Sequence, residues 1–275
     1  MRNLKILLLS RKFDIYSSRR LVEEGQKRSH SVYLWDPAWP INRLQVQPDI
    51  IIPRVASFQF KEAMSVLNTL EQRSRVILNA SQYYSVARNK WLTFQALSRA
   101  DIPTPPSVLN LSEANFDFPL IAKELESSKG EGVFLVNSKA DLEIRHKKSG
   151  TLLLQEAYPE CFGTDIRAFV VGEEIAATMK RTAKPGEFRS NLALGATAEP
   201  CEISEHEKQI ILKTAQTLNL QVCGVDLLRT RKGSLVLEAN PCPGLEGIEK
   251  YTKKNLAESI IKYAEELYDK HSSPR

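Results

Sequence analysis

The chain has 275 residues, 42% of them hydrophobic, and its 38 basic and 33 acidic residues leave a formal net charge of +5. That length allows two or three compact units, while the absence of any apolar run near the ~18 residues of a membrane span and of any long basic block disfavours membranes and nucleic acid. The four cysteines lack C-x-x-C spacing, so we expect a cytoplasmic protein without a disulfide framework or zinc site.

Strands and helices alternate through the first part of the chain. Apolar runs and helical spacing predict five elements, namely strands over Leu4–Ser10, Ser31–Trp35 and Asp49–Pro53 and helices over Ser17–Lys27 and Lys61–Gln72. Such alternation indicates a parallel sheet with right-handed crossovers. Arg54 follows the third strand, where ligands of parallel sheets gather. It is therefore either a substrate contact or an ordinary surface arginine.

A glycine-bearing loop follows a short strand at 76–79 and a helix whose apolar residues begin at Trp91. The segment PLIAKELESSKGEGVFLV predicts a strand ending at Lys123, a loop containing Gly130 and Gly132, and a second strand. Backbone N–H groups of such a loop can approach anionic oxygens, with Lys123 as a fixed positive charge. A simple tight turn fits the same pattern, and the P-loop motif is absent from the sequence.

The stretch from Val222 to Asn240 predicts an antiparallel hairpin, with a polar turn at 230–233. If the turn centres near Lys232, Asp226 lies directly opposite Glu238, and Asn240 shares the face of Glu238. We expect the opposite face to be apolar and to carry Val225, Leu227 and Leu237.

Two carboxylates and an amide suit a hard cation such as Mg²⁺. The alternative interpretation of this hairpin is a solvated face that happens to carry acidic residues.

Three motifs carry a resemblance to a known family: EANPCPGLEGIEK from Glu238, KRTAKPGEFRSN from Lys180, and LLLQEAY from Leu152. The chain resembles ATP-grasp ligases and, among them, is similar to the RimK family of glutamate ligases. In that family E-x-N is followed by S-P-G-L-E-G-I-E, so Cys242 stands where serine is usual. We interpret Cys242 as a small apolar filler.

The resemblance implies an α/β fold, in which an ATP-grasp fold is preceded by a small parallel-sheet (pre-ATP-grasp) domain. The implied domains are residues 1–82 and 83–275. Within the second, a lid subdomain would span about 106–156 and a metal-bearing C-terminal subdomain about 157–275.

The resemblance also implies site residues. ATP contacts would come from Lys90, Lys123, Ser127, Gly130, Gly132, Glu156, Ala157, Asp165, Arg189, Ser190 and Asn191. Arg189 and Asn191, which alternate on one side of an extended segment, would be catalytic. Two Mg²⁺ ions, or Mn²⁺, would be held by Asp226, Glu238 and Asn240, and substrate would be held by Arg54, Arg181 and Lys184.

Two departures from the family pattern bear on specificity. Ala157 replaces an aromatic residue, which would weaken side packing against adenine. In LALGA, the family commonly has a second glycine and a basic residue, and the differences fall at Ala193, Leu194 and Ala196. These differences leave the substrate open.

The implied activity is an ATP-dependent carboxylate–amine ligase that works through an acyl phosphate by positioning and charge neutralisation. It would add an acidic amino acid, glutamate above all, to a peptide, a protein C-terminus or a cofactor carboxylate, and we expect a homo-oligomer. The alternatives are an ATP-binding protein without ligase activity and a ligase for a different amino acid, by lysine-type or dipeptide synthesis. A structural protein that merely shares the fold is disfavoured, because it would have no reason to keep the charged cluster together.

Overall fold

The N-terminal sheet is parallel, as the sequence predicts. The computed structural model describes residues 2–55, 60–127 and 130–272. This sheet has the order β2-β1-β3-β4, with strands β1 (Lys5–Leu9), β2 (Ser31–Trp35), β3 (Ile50–Pro53) and β4 (Val76–Ile77). The helices that flank it are α1 (Tyr16–Lys27) and α2 (Phe60–Glu71).

Two helices follow this sheet where the sequence predicted one. They are α3 (Ser81–Arg88) and α4 (Lys90–Arg99). Asn89 separates them because its backbone is extended, with φ −95° and ψ 114°, and its side chain accepts hydrogen bonds from the N–H groups of Trp91 and Leu92. It is therefore the N-cap of α4.

The second sheet is antiparallel, with the order β5-β8-β6-β7. Its strands are β5 (Ser107–Val108), β6 (Leu120–Glu124), β7 (Val133–Val136) and β8 (Leu152–Glu156), and α5 (Lys139–Ser149) follows β7. The predicted strands before and after the glycine-bearing loop are present as β6 and β7, which pair with Lys123 opposite Val133. Residues 128–129 of that loop lie outside the described residues.

The third sheet is antiparallel and has the order β11-β10-β9-β12-β13. Its strands are β9 (Thr164–Val171), β10 (Glu174–Thr182), β11 (Thr197–Pro200), β12 (Val222–Thr230) and β13 (Gly233–Asn240). The remaining helices are α6 (Glu205–Thr217), α7 (Leu245–Thr252) and α8 (Leu256–Ser272).

The predicted pairing of Asp226 with Glu238 is confirmed, but a bulge produces it. Leu227 pairs with Val236, and the register shifts before Asp226 meets Glu238, so Leu237 is an extra residue on β13. Its side chain lines the same cavity as Glu238. The prediction that Leu237 lies on the core face is therefore wrong, whereas Val225 and Leu227 are fully buried in the core as predicted.

The N-terminal sheet shares its core with the C-terminal helix. Ile6 and Leu8 of β1 belong to the same hydrophobic cluster as Ile260 and Ile261 of α8. Cys242 packs beside a second cluster on the other face of this sheet, as expected for an apolar filler. Because α8 completes the N-terminal core, the boundary at residue 82 divides the sequence but not the packing, and the predicted domain limits stay predictions.

Asn79 ties the end of β4 to the hairpin formed by β12 and β13. Its Oδ1 accepts from the N–H groups of Gln221 and Val222, and its Nδ2 donates to the carbonyl of Pro241 at 2.8 Å. Both ends of the hairpin are thereby fixed on the N-terminal sheet. Within the described ranges, no helix has the length and apolar character needed to cross a membrane.

Candidate active site

A cavity of about 850 Å³, including its open mouth, lies between the second and third sheets. Twelve of the predicted site residues line it: Lys90, Lys123, Ser127, Gly130, Glu156, Asp165, Arg181, Arg189, Ser190, Asn191, Asp226 and Glu238. Residues scattered over more than half of the sequence thus meet at one site.

Two lysines place positive charge in the cavity without an ion-pair partner among the described residues. The Lys123 ammonium is buried and donates to Gln155 Oε1 at 2.6 Å. Burial lowers its pKa to about 8. Lys90 donates to the carbonyl and hydroxyl of Ser127 at 3.0 and 3.1 Å, and burial also lowers its pKa. A phosphate bound beside the two lysines would raise both pKa values again and favour their charged forms, so this pair attracts an anion.

The glycine-bearing loop touches the segment 188–191 directly. Gly130 has φ +79°, and a Cβ atom there would lie 2.5 Å from Asn191 Oδ1. Its carbonyl accepts from Arg189 Nη1 at 3.0 Å. Only glycine permits both the backbone conformation and the close approach.

Arg189 is held in place by Glu187. Its Nε and Nη2 donate to the two Glu187 oxygens at 2.9 and 2.8 Å. Hydrogen bonds from Arg189 lower the pKa of Glu187 to about 2. The guanidinium is therefore oriented before any ligand binds, with its Nη1 turned to the glycine-bearing loop.

Four charged residues form a buried network on the cavity face of the third sheet. Asp165 lies opposite Arg181 on β9 and β10, and Arg167 lies opposite Asp226 on β9 and β12. Arg181 donates to Asp165 Oδ1 at 2.7 Å and to Asp226 Oδ2 at 2.8 Å. Arg167 donates to both Asp226 oxygens, with Nη2 at 2.6 Å from Oδ2. Two positive and two negative groups leave the network neutral.

This network sets the ionisation of its members. Burial disfavours the charged form of Asp226, but the two guanidinium groups outweigh it and lower its pKa. Burial likewise opposes the charge of Arg181, and its two carboxylate partners raise its pKa. Asp165, predicted to contact ATP, and Arg181, predicted to hold substrate, bind each other in this structure.

Glu238 is the carboxylate that remains open. No hydrogen bond or ion pair to it is found among the described residues, and it faces the cavity that holds Lys90 and Lys123. Asp226 accepts three guanidinium hydrogen bonds, but a carboxylate has about four lone-pair sites. Asn240 Oδ1 accepts from the Cys242 N–H at 2.8 Å. Asp226 and Glu238 line the cavity together with the two lysines, and their carboxylate oxygens are of the kind that Mg²⁺ prefers.

The cavity also has an apolar part. Ile121, Val133, Leu228 and Leu237 line it together with the rings of Phe162 and Phe188, whose centroids are 5.9 Å apart. This mixture of apolar walls and a few polar groups is typical of small-molecule sites.

Tyr158 lies at the edge of that apolar part, and its hydroxyl donates to Glu156 Oε2 at 2.6 Å. Tyr158 was not among the predicted site residues, although it stands beside Ala157 and supplies an aromatic ring one position later.

Five predicted site residues lie outside the cavity lining: Gly132, Ala157, Asn240, Arg54 and Lys184. Gly132 has φ +67° and its carbonyl accepts from the Glu124 N–H at 2.8 Å, so it shapes the loop. Lys184 is exposed and packs against Gly195 of the LALGA segment. Arg54 lies at the carboxyl end of β3 and donates to the Pro243 carbonyl at 2.7 Å. Arg167 was not among the predicted site residues, because its pairing with Asp226 depends on β9 and β12 being neighbours in the third sheet.

Solved structures share this fold. The ATP-grasp ligase PsnB, complexed with a minimal precursor, aligns with a TM-score of 0.75 at 17% identity and covers 97% of this chain and 100% of its own. The D-alanine–D-alanine ligase from Bacillus anthracis aligns with a TM-score of 0.70 at 12% identity, covering 98% of both chains. The fold is thus that of the ATP-grasp ligases.

Sequence relatives narrow this class. The family profile described as RimK-like ATP-grasp domain matches residues 87–264. A protein of Cellvibrio japonicus named "Probable alpha-L-glutamate ligase" is 36% identical over 288 residues and covers 96% of each chain. A protein of the same name from Azotobacter vinelandii is 37% identical and covers 95% of each. The chain belongs to the RimK-like ATP-grasp family and is an ATP-dependent carboxylate–amine ligase.

Proposed function

We propose that this ligase joins the amino group of L-glutamate to a carboxylate of a peptide, a protein C-terminus or a cofactor. The observation that carries the proposal is the cavity, whose lining includes two lysines without an ion-pair partner, Arg189 and the open carboxylate of Glu238. Near full-length relatives named as probable alpha-L-glutamate ligases support glutamate as the amino acid.

The reaction has two steps. An acceptor carboxylate oxygen bonds to the γ-phosphorus of ATP, and the bond from that phosphorus to the β–γ bridging oxygen breaks, so ADP leaves. The glutamate nitrogen then bonds to the acyl carbon, the bond from that carbon to the phosphate oxygen breaks, and phosphate leaves. The nitrogen releases its proton to solvent. Neither step needs a side-chain nucleophile.

The phosphates of ATP would lie against Lys90, Lys123 and Arg189. Ser127, Ser190, Asn191 and the N–H groups around Gly130 would supply further hydrogen bonds. Arg189 is suited to the transferring phosphoryl group, since its planar guanidinium binds two oxygens at once. The apolar part would take the adenine, with the backbone at Glu156 and Ala157 along its edge and Asp165 near the ribose.

Glu238, Asp226 and Asn240 would hold Mg²⁺, which neutralises phosphate charge when bound. A structure of PsnB complexed with a phosphomimetic variant of a minimal precursor, Mg and ADP has the same fold, with a TM-score of 0.73. Two ions remain our proposal, with Glu238 as the shared ligand because it is flanked on the hairpin by the other two.

Glutamate binding needs positive charge that the protein does not already neutralise. Arg181 is paired with two carboxylates, which leaves Lys184, of the basic residues on that segment, as the better partner for the glutamate side chain. Lys184 packs against the LALGA segment, so the residues that depart from the family pattern lie beside it.

A competition experiment tests this proposal. Glutamate, aspartate, lysine and alanine are supplied together with ATP, Mg²⁺ and an acidic peptide acceptor, and ADP release and product masses are measured. We expect the glutamate adduct to dominate. A preference for lysine or alanine contradicts glutamate as the substrate but leaves the ligase class intact.

A further inference from the structure

Arg54 and Arg88 carry positive charge that the described part of the chain does not compensate. Both are shielded from solvent, and the Nε of each is buried without a hydrogen-bond partner. All other non-exposed arginines of the described ranges pair with a carboxylate, namely Arg20, Arg28, Arg145, Arg167, Arg181 and Arg189. A shielded charge without a partner is costly. An anion bound to the two guanidinium groups would neutralise this charge and reduce its cost.

Tyr84 connects the segments that carry the two arginines. Its hydroxyl donates to the Val55 carbonyl, next to Arg54, and Arg88 lies one turn further along α3. The Phe60 ring packs 5.9 Å from the Tyr84 ring and 5.5 Å from the Arg88 guanidinium. Burial raises the pKa of Tyr84 well above its usual value, and Arg54 and Arg88 both oppose that rise.

Each arginine is attached to a loop beside the cavity, although neither lines it. Arg54 donates to the Pro243 carbonyl at 2.7 Å, and the Pro243 side chain lies against Gly224, two residues before Asp226. Arg88 Nη2 donates to the Glu126 carbonyl at 3.1 Å, next to the cavity residue Ser127. The two arginines thus lie between the β12–β13 hairpin and the glycine-bearing loop.

We infer that Arg54 and Arg88 bind the acceptor, by its carboxylate, before that carboxylate is phosphorylated. In the proposed function, on which this inference rests, ATP phosphates bind the two lysines of the cavity. Arg54 and Arg88 then remain without a counter-charge and are available to a second anion. Two guanidinium groups fix a carboxylate through charge-assisted hydrogen bonds. The site therefore selects acidic acceptors and rejects the corresponding amides.

Calorimetric titration of the full-length protein, with ADP and Mg²⁺ present, tests this site without turnover. The probes are α-linked triglutamate and its C-terminal amide. We expect triglutamate to bind more tightly than the amide. Arg54→Gln and Arg88→Gln should each weaken triglutamate binding by about 10- to 100-fold, the range for a lost charge-assisted hydrogen bond. Arg99→Gln removes the same charge from an exposed position of α4 and should leave binding unchanged.

ADP affinity is measured for every variant as the control for folding. It should stay unchanged, and Arg88→Lys, which keeps the charge without the planar fork, should bind triglutamate with intermediate affinity. Equal binding of triglutamate and its amide, no binding of either, or unchanged affinity in Arg54→Gln overturns the inference. A selective loss of ADP affinity assigns the arginines to ATP and overturns it as well. If triglutamate binds as expected but glutamate stimulates no ADP release, only the proposed function fails.

Discussion

Arg167 and Asp226 face each other on neighbouring antiparallel strands, and the Arg167 guanidinium donates to both Asp226 oxygens. Glu238 continues the same row on β13, directly opposite Asp226. The protein thus neutralises one carboxylate of the row and leaves the other open. This asymmetry separates their roles, since Asp226 is fixed in place and Glu238 is available to a cation.

Replacing Glu238 with glutamine should impair Mg²⁺-dependent turnover and Mg²⁺-dependent ADP binding while the fold is retained. The amide removes the open negative charge, so we expect turnover to fall by at least about 10²-fold, as for loss of a preorganised charged group. ADP affinity should also lose its dependence on Mg²⁺, which titrations with and without the metal measure. Near-normal kcat at moderate Mg²⁺ contradicts the assignment.

Arg167→Gln should destabilise the fold. Removing one partner of a buried ion pair costs about 3–5 kcal/mol, and we expect the lower end because Arg181 still pairs with Asp226. Arg19→Gln is the control, since Arg19 pairs with Glu23 and both side chains are exposed, at 50% and 43%, so this change should cost only about 0–1 kcal/mol. Urea unfolding compares the two variants, and equal losses would show that the Arg167 pair adds no particular stability.

Nucleotide affinity should fall as the pH rises through 8. Lys123 has a pKa of about 8 because it is buried, so its charge is present below that pH and is lost above it. ADP should bind about tenfold more weakly at pH 9 than at pH 7, and binding near pH 8 should take up a proton. Calorimetry in buffers of different ionisation enthalpy measures both effects. Lys123→Gln should bind weakly with little pH dependence, and an unchanged pH profile in this variant assigns the titration elsewhere.

Gly130→Ala should impair nucleotide binding beyond its effect on stability. A Cβ atom at this position meets Asn191 Oδ1 at 2.5 Å, in a backbone conformation with φ +79°. Gly150→Ala is the control, because it has φ +71° and open space around the added atom. Both variants should lose about 1–3 kcal/mol of stability, because a side chain is strained at a positive φ. Only Gly130→Ala should lose ADP affinity, and equal binding by the two variants rejects the proposed contact.

Local pattern predicted the elements well where the alternation of apolar residues was regular. The strands around the glycine-bearing loop and the Asp226–Glu238 pairing were both predictable. The turn actually centres between Arg231 and Lys232, and the bulge at Leu237 restores the predicted pair. A bulge leaves no mark in a run such as SLVLEAN, so the orientation of Leu237 could not be predicted.

The contacts of charged side chains were less predictable than their positions. Asp165, Arg167 and Arg181 all lie in strands, and their partners depend on which strands are neighbours in the third sheet. The order β10-β9-β12 places residues far apart in sequence side by side, which no local pattern reveals. The same holds for Arg88, since Asn89 interrupts what the sequence suggests is one helix.

The most direct measurement follows oxygen from the acceptor into the released phosphate. An acidic peptide acceptor labelled with ¹⁸O in its carboxylate is turned over with glutamate and ATP, and the nucleotide, phosphate and product are analysed by mass spectrometry. The acyl-phosphate route predicts ADP, one ¹⁸O atom in each phosphate, and a product heavier by one glutamate residue. AMP with pyrophosphate, or phosphate that carries no ¹⁸O, would contradict it.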